Sequence, residues 1–152
     1  MSAEEKVMID TNILVYGFDN SEGLKHELAN ELLEEAFEGE LSVTLSTQIL
    51  SEFFVNITGE RKKAGVNIPM NVAEAKALIK DISFGFPSIT VADIKLTTVM
   101  EALELKELSN ASYWDCLIAA IMKEHGITTI YTEDKGFEKI TGITVINPFE
   151  RR

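Results

Sequence analysis

Asp10, Glu52, Asp115 and Asp134 each stand where a predicted element begins, ends or turns a face, and all four are carboxylates. Asp10 closes the apolar run Val7-Met8-Ile9, which reads as a short buried strand with the acid at its C-terminal end. In open α/β sheets that edge is where ligands bind. Glu52 falls on a predicted helix between the apolar pairs Ile49-Leu50 and Phe53-Phe54. Asp115 opens the most apolar helix of the chain, and Asp134 follows a predicted strand. Gathered in one pocket, such groups repel one another unless cations hold them. The chemistry implied is a divalent metal site for one or two Mg²⁺ or Mn²⁺ ions, because hard oxygen ligands suit hard cations.

Each acid also has an ordinary explanation. Asp10 could cap a following helix, although Thr11 and Asn12 offer the same service. Glu52 could be solvated helix surface. Asp115 stands three residues after Ser112, as in a capping box, and a negative charge in a first turn is favourable by about 0.3–1 kcal/mol. Asp134 could be a turn aspartate. Taken together, acids at so many edge positions favour a site. Other chemistries find less support. His26 and His125 lack zinc-ligand spacing, and the single Cys116 cannot build a Cys/His site. Glycine-rich phosphate loops are missing from the sequence. An aspartate-based phosphatase wants a second Asp two residues after Asp10, where Asn12 stands.

The elements that must position these acids alternate between short apolar runs and amphipathic stretches, which suggests βαβ units and a mostly parallel sheet. A helix is expected from Ser21 to Phe37, stopped by Gly39, then a strand over Leu41–Leu45. Ser46 or Thr47 can cap the helix that carries Glu52 through to Ile57. Arg61 to Met70 reads as a loop, and Asn71 caps a helix over Val72–Ile82. Ser88–Val91 is a third strand, and Asp93 is the expected cap of a helix over Ile94–Leu105. Ser112 starts a helix that reaches His125 and stops at Gly126. Strands over Thr128–Tyr131 and Thr144–Ile146 complete five strands sandwiched between helices.

Bulk properties bound the answer. The chain has 152 residues, enough for one domain over 1–152 with a substantial core, and its 45% hydrophobic content is ordinary for a globular protein. The polar start and the lack of long apolar runs predict neither a secretory signal nor a membrane anchor. One cysteine fits a reducing cytoplasm. A net charge of −11 counts against nucleic-acid partners, which usually meet basic surfaces. Bound cations would cancel part of that charge where it matters. The basic residues are also clustered, as Arg61-Lys62-Lys63 and Arg151-Arg152.

The motifs Ile9-Asp10-Thr11-Asn12-Ile13-Leu14, Ser51-Glu52, Tyr113-Trp114-Asp115-Cys116-Leu117-Ile118 and Tyr131-Thr132-Glu133-Asp134 occur in that order across nearly the whole chain. In this order they resemble the PIN-domain nucleases and, among them, the small VapC-like toxins. The resemblance implies a three-layer α/β/α sandwich whose parallel sheet has the order 3-2-1-4-5. It implies Asp10, Glu52, Asp115 and Asp134 as metal-binding and catalytic acids, with Asn12 and Thr132 orienting them. One departure is visible: Gly136 stands where many relatives carry a further aspartate. The implied activity is metal-dependent hydrolysis of RNA phosphodiesters, in which the ion activates a water and stabilises charge on phosphate. A toxin would have an antitoxin partner. The alternatives are a housekeeping RNA-processing nuclease and an inactive RNA- or protein-binding module on the same fold. A homodimer is expected too, with Leu96, Val99, Met100 and Leu103 as a possible contact face, unless that stripe covers the sheet. Arg61, Lys62 and Lys63 are the expected contacts for flanking phosphates.

Overall fold

The computed structural model describes residues 5–60 and 69–150. Five strands form one all-parallel sheet: β1 (Lys6–Ile9), β2 (Ser42–Ser46), β3 (Ile89–Ala92), β4 (Thr129–Tyr131) and β5 (Thr144–Ile146). Their spatial order is β3-β2-β1-β4-β5, as the resemblance implies. β1 is central, with Val7 registered against Val43 on one side and Thr129 on the other. Val7, Met8 and Ile9 are all buried, which explains why this strand reads as a continuous apolar run. The chain leaves β1 toward β2 and β3, then crosses back to β4. β1 and β4 are therefore a switch point, and a crevice opens at their C-terminal ends.

Among the described residues, six α-helices occupy the connections: α1 (Thr11–Phe18), α2 (Leu24–Phe37), α3 (Thr47–Ile57), α4 (Val72–Phe84), α5 (Leu96–Leu108) and α6 (Tyr113–Glu124). Right-handed crossovers carry α1 to α4 over one face of the sheet and α5 and α6 over the other. In keeping with this, α1 packs on α2 and α3, whereas α5 packs on α6. The result is a three-layer α/β/α sandwich.

Helix ends follow local chemistry. Ser46 caps α3 by accepting the N–H of Ile49 at 3.1 Å, and Asn71 with Glu74 forms a reciprocal capping box on α4. Gly39 and Gly126 take positive φ where α2 and α6 stop.

Four readings of the sequence need correction. The helix α1 was not foreseen. Its β-branched and aromatic residues have weak helix propensity, so packing rather than propensity makes it. Gly17 brings it against α2 so closely that a β-carbon there would collide with Leu33. The next helix starts at Leu24 rather than Ser21, because Asp19 first caps a short 3₁₀ turn, Asn20–Glu22. The fifth helix starts at Leu96, so Asp93 does not cap it; instead the Thr98 hydroxyl accepts the Lys95 N–H at 3.1 Å. Of the stripe on α5, only Val99 packs against the core. Leu96, Met100 and Leu103 are 77%, 55% and 46% exposed, and the buried residues of this helix are Thr98 and Ala102.

Candidate active site

Asp10 leaves β1 and becomes the N-cap of α1, so it performs its ordinary capping role and faces the crevice as well. One carboxylate oxygen accepts the Thr11 N–H at 2.8 Å. The other accepts the Thr132 hydroxyl at 2.8 Å and the Asn12 amide at 3.3 Å. The side chain is 7% exposed. Thr132 is fully buried. Having given its proton to Asp10, its oxygen accepts the Asn12 amide at 3.0 Å and the Asp134 N–H at 3.0 Å. Asn12 and Thr132 thus tie Asp10, at the end of β1, to the segment after β4.

Glu52 projects from α3 toward the same place. Thr11 donates its hydroxyl to one oxygen at 3.0 Å, and Gln48 donates its amide to the other at 3.0 Å. Asp115 lies in the first turn of α6, where Ser112 accepts its N–H at 3.2 Å. Asp134 accepts the Gly136 N–H at 2.8 Å and heads a 3₁₀ turn, Lys135–Lys139. Gly136 lies against both acids. A β-carbon on it would fall 2.5 Å from Asp115 Oδ2 and 3.1 Å from Asp134 Oδ1. The residue that departs from the family pattern is the one that leaves room for these two carboxylates to approach.

All four acids line a single cleft of about 450 Å³, with Tyr16, Trp114 and Ile118 among its walls. Burial raises the pKa of Asp10 to about 6, helped by the charges of Glu52 and Asp134 and opposed by the bonds from Thr132 and Thr11. Asp115 also rises to about 6, through burial first and then the charge of Asp134, with Ser112 opposing. As placed, no three carboxylate, imidazole or thiol groups among the described residues converge on one point at ligating distance. The donor set is nevertheless oxygen-only and crowded with like charge, which fits a hard divalent cation and no softer one. No histidine or lysine lines the cleft among the described residues.

Beside the cleft, Glu133 accepts the Tyr16 hydroxyl at 2.6 Å and pairs with Lys25 at 2.8 Å. Phe149 meets the Tyr16 ring edge-on, with centroids 5.2 Å apart. This brace fixes the backbone between Thr132 and Asp134 from outside. The sequence reading missed it, along with Thr11 and Gln48. Gln48 alone carried a local signal, because an amide one helical turn before Glu52 can reach its carboxylate. Cys116 is a free thiol buried in the core. Arg61, Lys62, Lys63, Arg151 and Arg152 lie outside the described residues. No described helix is long and apolar enough to cross a membrane.

Comparison with known proteins agrees with this architecture. Several solved structures share the fold. VapC20 from Mycobacterium tuberculosis, described as a toxin that cleaves the sarcin-ricin loop, superposes with a TM-score of 0.63 at 18% identity, covering 87% of this chain and 92% of that one. VapBC2 from Rickettsia felis, bound to a promoter DNA fragment, gives 0.63 at 19% identity over 93% and 98% of the two chains. DNA-bound VapBC from Salmonella typhimurium gives 0.62 at 18% identity over 95% and 98%. No curated protein matches the chain by sequence. The sequence profile of the PIN domain matches residues 7–143, and the chain therefore belongs to the PIN domain family.

Proposed function

We propose that this protein is a metal-dependent ribonuclease that hydrolyses RNA phosphodiester bonds, and that it is the toxin of a VapBC-type pair. The observation that carries the reading is the cleft itself: Asp10, Glu52, Asp115 and Asp134 line one crevice at the switch point of a parallel sheet. Mg²⁺ or Mn²⁺ would be held by these carboxylates, and when bound would activate a water and offset charge on the phosphate.

The remaining work falls to the chain's own groups. Thr132, Thr11 and Asn12 hold Asp10 in one orientation before anything binds. Thr11 and Gln48 aim Glu52, and Gly136 lets Asp115 and Asp134 share a corner. Burial at the floor of the cleft strengthens every charge interaction made there. The similar solved structures include toxin–antitoxin complexes, which supports an antitoxin partner for this chain. The exposed apolar stripe of α5 supports a homodimer, and Met100→Asp should then move the sedimentation mass from dimer to monomer. Arg61, Lys62 and Lys63 remain the proposed contacts for flanking phosphates. Replacing all three by Ala should flatten the salt dependence of RNA binding without changing metal affinity.

The direct test is cleavage of total RNA by purified protein in chelator, then with Mn²⁺ or Mg²⁺ restored. Activity that appears only with the ion supports the reading. Calorimetry that detects no divalent-ion binding at millimolar concentration would sink it. Co-purification with the product of an adjacent reading frame separates a toxin from a housekeeping nuclease.

A further inference from the structure

Trp114 is 61% exposed although it is the only tryptophan in the chain and neighbours a catalytic candidate. Large aromatic side chains are usually mostly buried, so one left in water at the mouth of a site has a use to be found. Trp114 lies between two depressions. One is the acidic cleft; the other is a groove of about 540 Å³ between α3 and the start of α6. The two share Gln48, Glu52, Asn56 and Trp114, so a chain held in the cleft continues directly into the groove.

The groove has a different character from the cleft. Among the described residues Glu52 is the one charged group in its wall, so they offer a phosphate no cation there. Ile94, Leu117 and Trp114 make one side apolar. Apart from Glu52, the facing wall on α3 is polar and uncharged, and the Ser51 hydroxyl proton is already committed. Ser51 gives its hydroxyl proton to the Thr47 carbonyl at 2.8 Å, and Asn56 gives its amide to the Glu52 carbonyl at 2.8 Å. Gln48 gives its amide to Glu52, and its Oε1 is the one buried side-chain polar atom without a partner among the described residues. Ser51 and Asn56, both exposed, keep acceptor oxygen on this wall. A flat aromatic platform opposite a row of acceptors matches a nucleobase that presents amino hydrogens.

We infer that this groove is a nucleobase subsite, in which the base next to the scissile phosphate stacks on Trp114 and the Ser51 and Asn56 oxygens favour an edge carrying an amino group. The inference rests on the ribonuclease reading and specifies which part of the RNA is recognised. It also adds to how so acidic a chain holds RNA near its site: a neutral base contributes affinity beside the phosphate contacts proposed for Arg61, Lys62 and Lys63.

The single tryptophan reports on its own occupancy. Its fluorescence is followed in chelator, so that nothing is cut, during titration with short oligoadenylate, oligocytidylate, oligouridylate and an abasic oligomer of equal length. Saturable quenching by the adenine and cytosine oligomers, several-fold weaker quenching by uridine and none by the abasic chain is the expected result. In cleavage assays Trp114→Leu should raise KM about 5- to 100-fold with little change in kcat, and Trp114→Phe should restore most of the loss. Equal binding of abasic and base-bearing oligomers, read by polarisation of a labelled end, overturns the subsite. So does quenching by a purified antitoxin but by no oligomer, which would make the groove a protein-docking surface. Metal-dependent cleavage without base-dependent quenching removes the subsite and leaves the ribonuclease reading standing. Quenching without cleavage under any divalent ion does the reverse.

Discussion

Asp10 and Asp115 both hold their protons up to about pH 6, but the two sides of the cleft arrive there differently. Asp10, on the sheet side, is buried and gripped by Thr11, Thr132 and Asn12. Its bonds lower the proton affinity that burial raises. Asp115, on the helix side, is half-buried and faces the charge of Asp134 across the space left by Gly136. One acid is pre-built and the other is crowded. The sheet side is therefore expected to set the position of a bound ion, and the helix side to set how strongly an ion is wanted.

The sharpest break in that comparison is Asp10→Asn. Cleavage should fall by about a thousandfold or more, the scale of losing an electrostatic group at the reacting centre. The fold should survive. Raising a carboxylate from 3.8 to about 6 costs roughly 3 kcal/mol in the charged state, so the variant should melt at the same temperature as wild type or higher in chelator. A lower melting temperature would mean that Asp10 is kept for structure. Thr132→Val attacks the grip rather than the acid. It leaves Asp10 and the Asp134 N–H short of a partner, with an expected loss of about 1–3 kcal/mol in denaturant unfolding, while Thr132→Ser should recover most of it.

Gly136→Ala tests the helix side alone. The new β-carbon pushes Asp115 from Asp134, so Mn²⁺ affinity by calorimetry should fall about tenfold, on the scale of losing a supporting contact at a metal site. Unfolding should barely change. If Gly136→Ala leaves Mn²⁺ affinity intact, the two carboxylates do not share the ion.

The smallest effect is a slope. Between pH 3.8 and about 6 the folded protein binds more protons than the unfolded one, because its two raised acids still hold theirs. Stability in chelator should fall as pH rises through that window and level off above it. An ion needs these acids ionised, so the stabilisation added by Mn²⁺ should grow with pH over the same range. Thermal melts with and without Mn²⁺ would read both slopes.

Much of this was legible in the residues. β1 could be read because both its faces are covered, which makes Val7-Met8-Ile9 uniformly apolar. Ser46, Asn71 and Ser112 could be read as caps because a cap is a local event. The acids could be placed together only through the order of the motifs, since nothing local links Asp10 to Asp134. The first helix was hidden because Ile13, Leu14, Val15 and Tyr16 continue the apolar character of the strand before them. The space at Gly136 was illegible too: a missing side chain explains nothing until its neighbours are known.

Asp10 is made near the start of the chain, and the threonine that holds it stands 122 residues later. The same delay applies to β1, whose partner β4 begins at Thr129. While the chain is being synthesised, β1 can pair with β2, but one flank of the sheet stays open and Asp10 lacks its grip. Parallel pairings so distant in sequence are slow to form and depend on nearly complete chains. A nascent chain that stops short of β4 thus carries Asp10, Glu52 and Asp115 but neither Asp134 nor the cleft. The four-acid cleft is therefore among the last features of the fold to be completed.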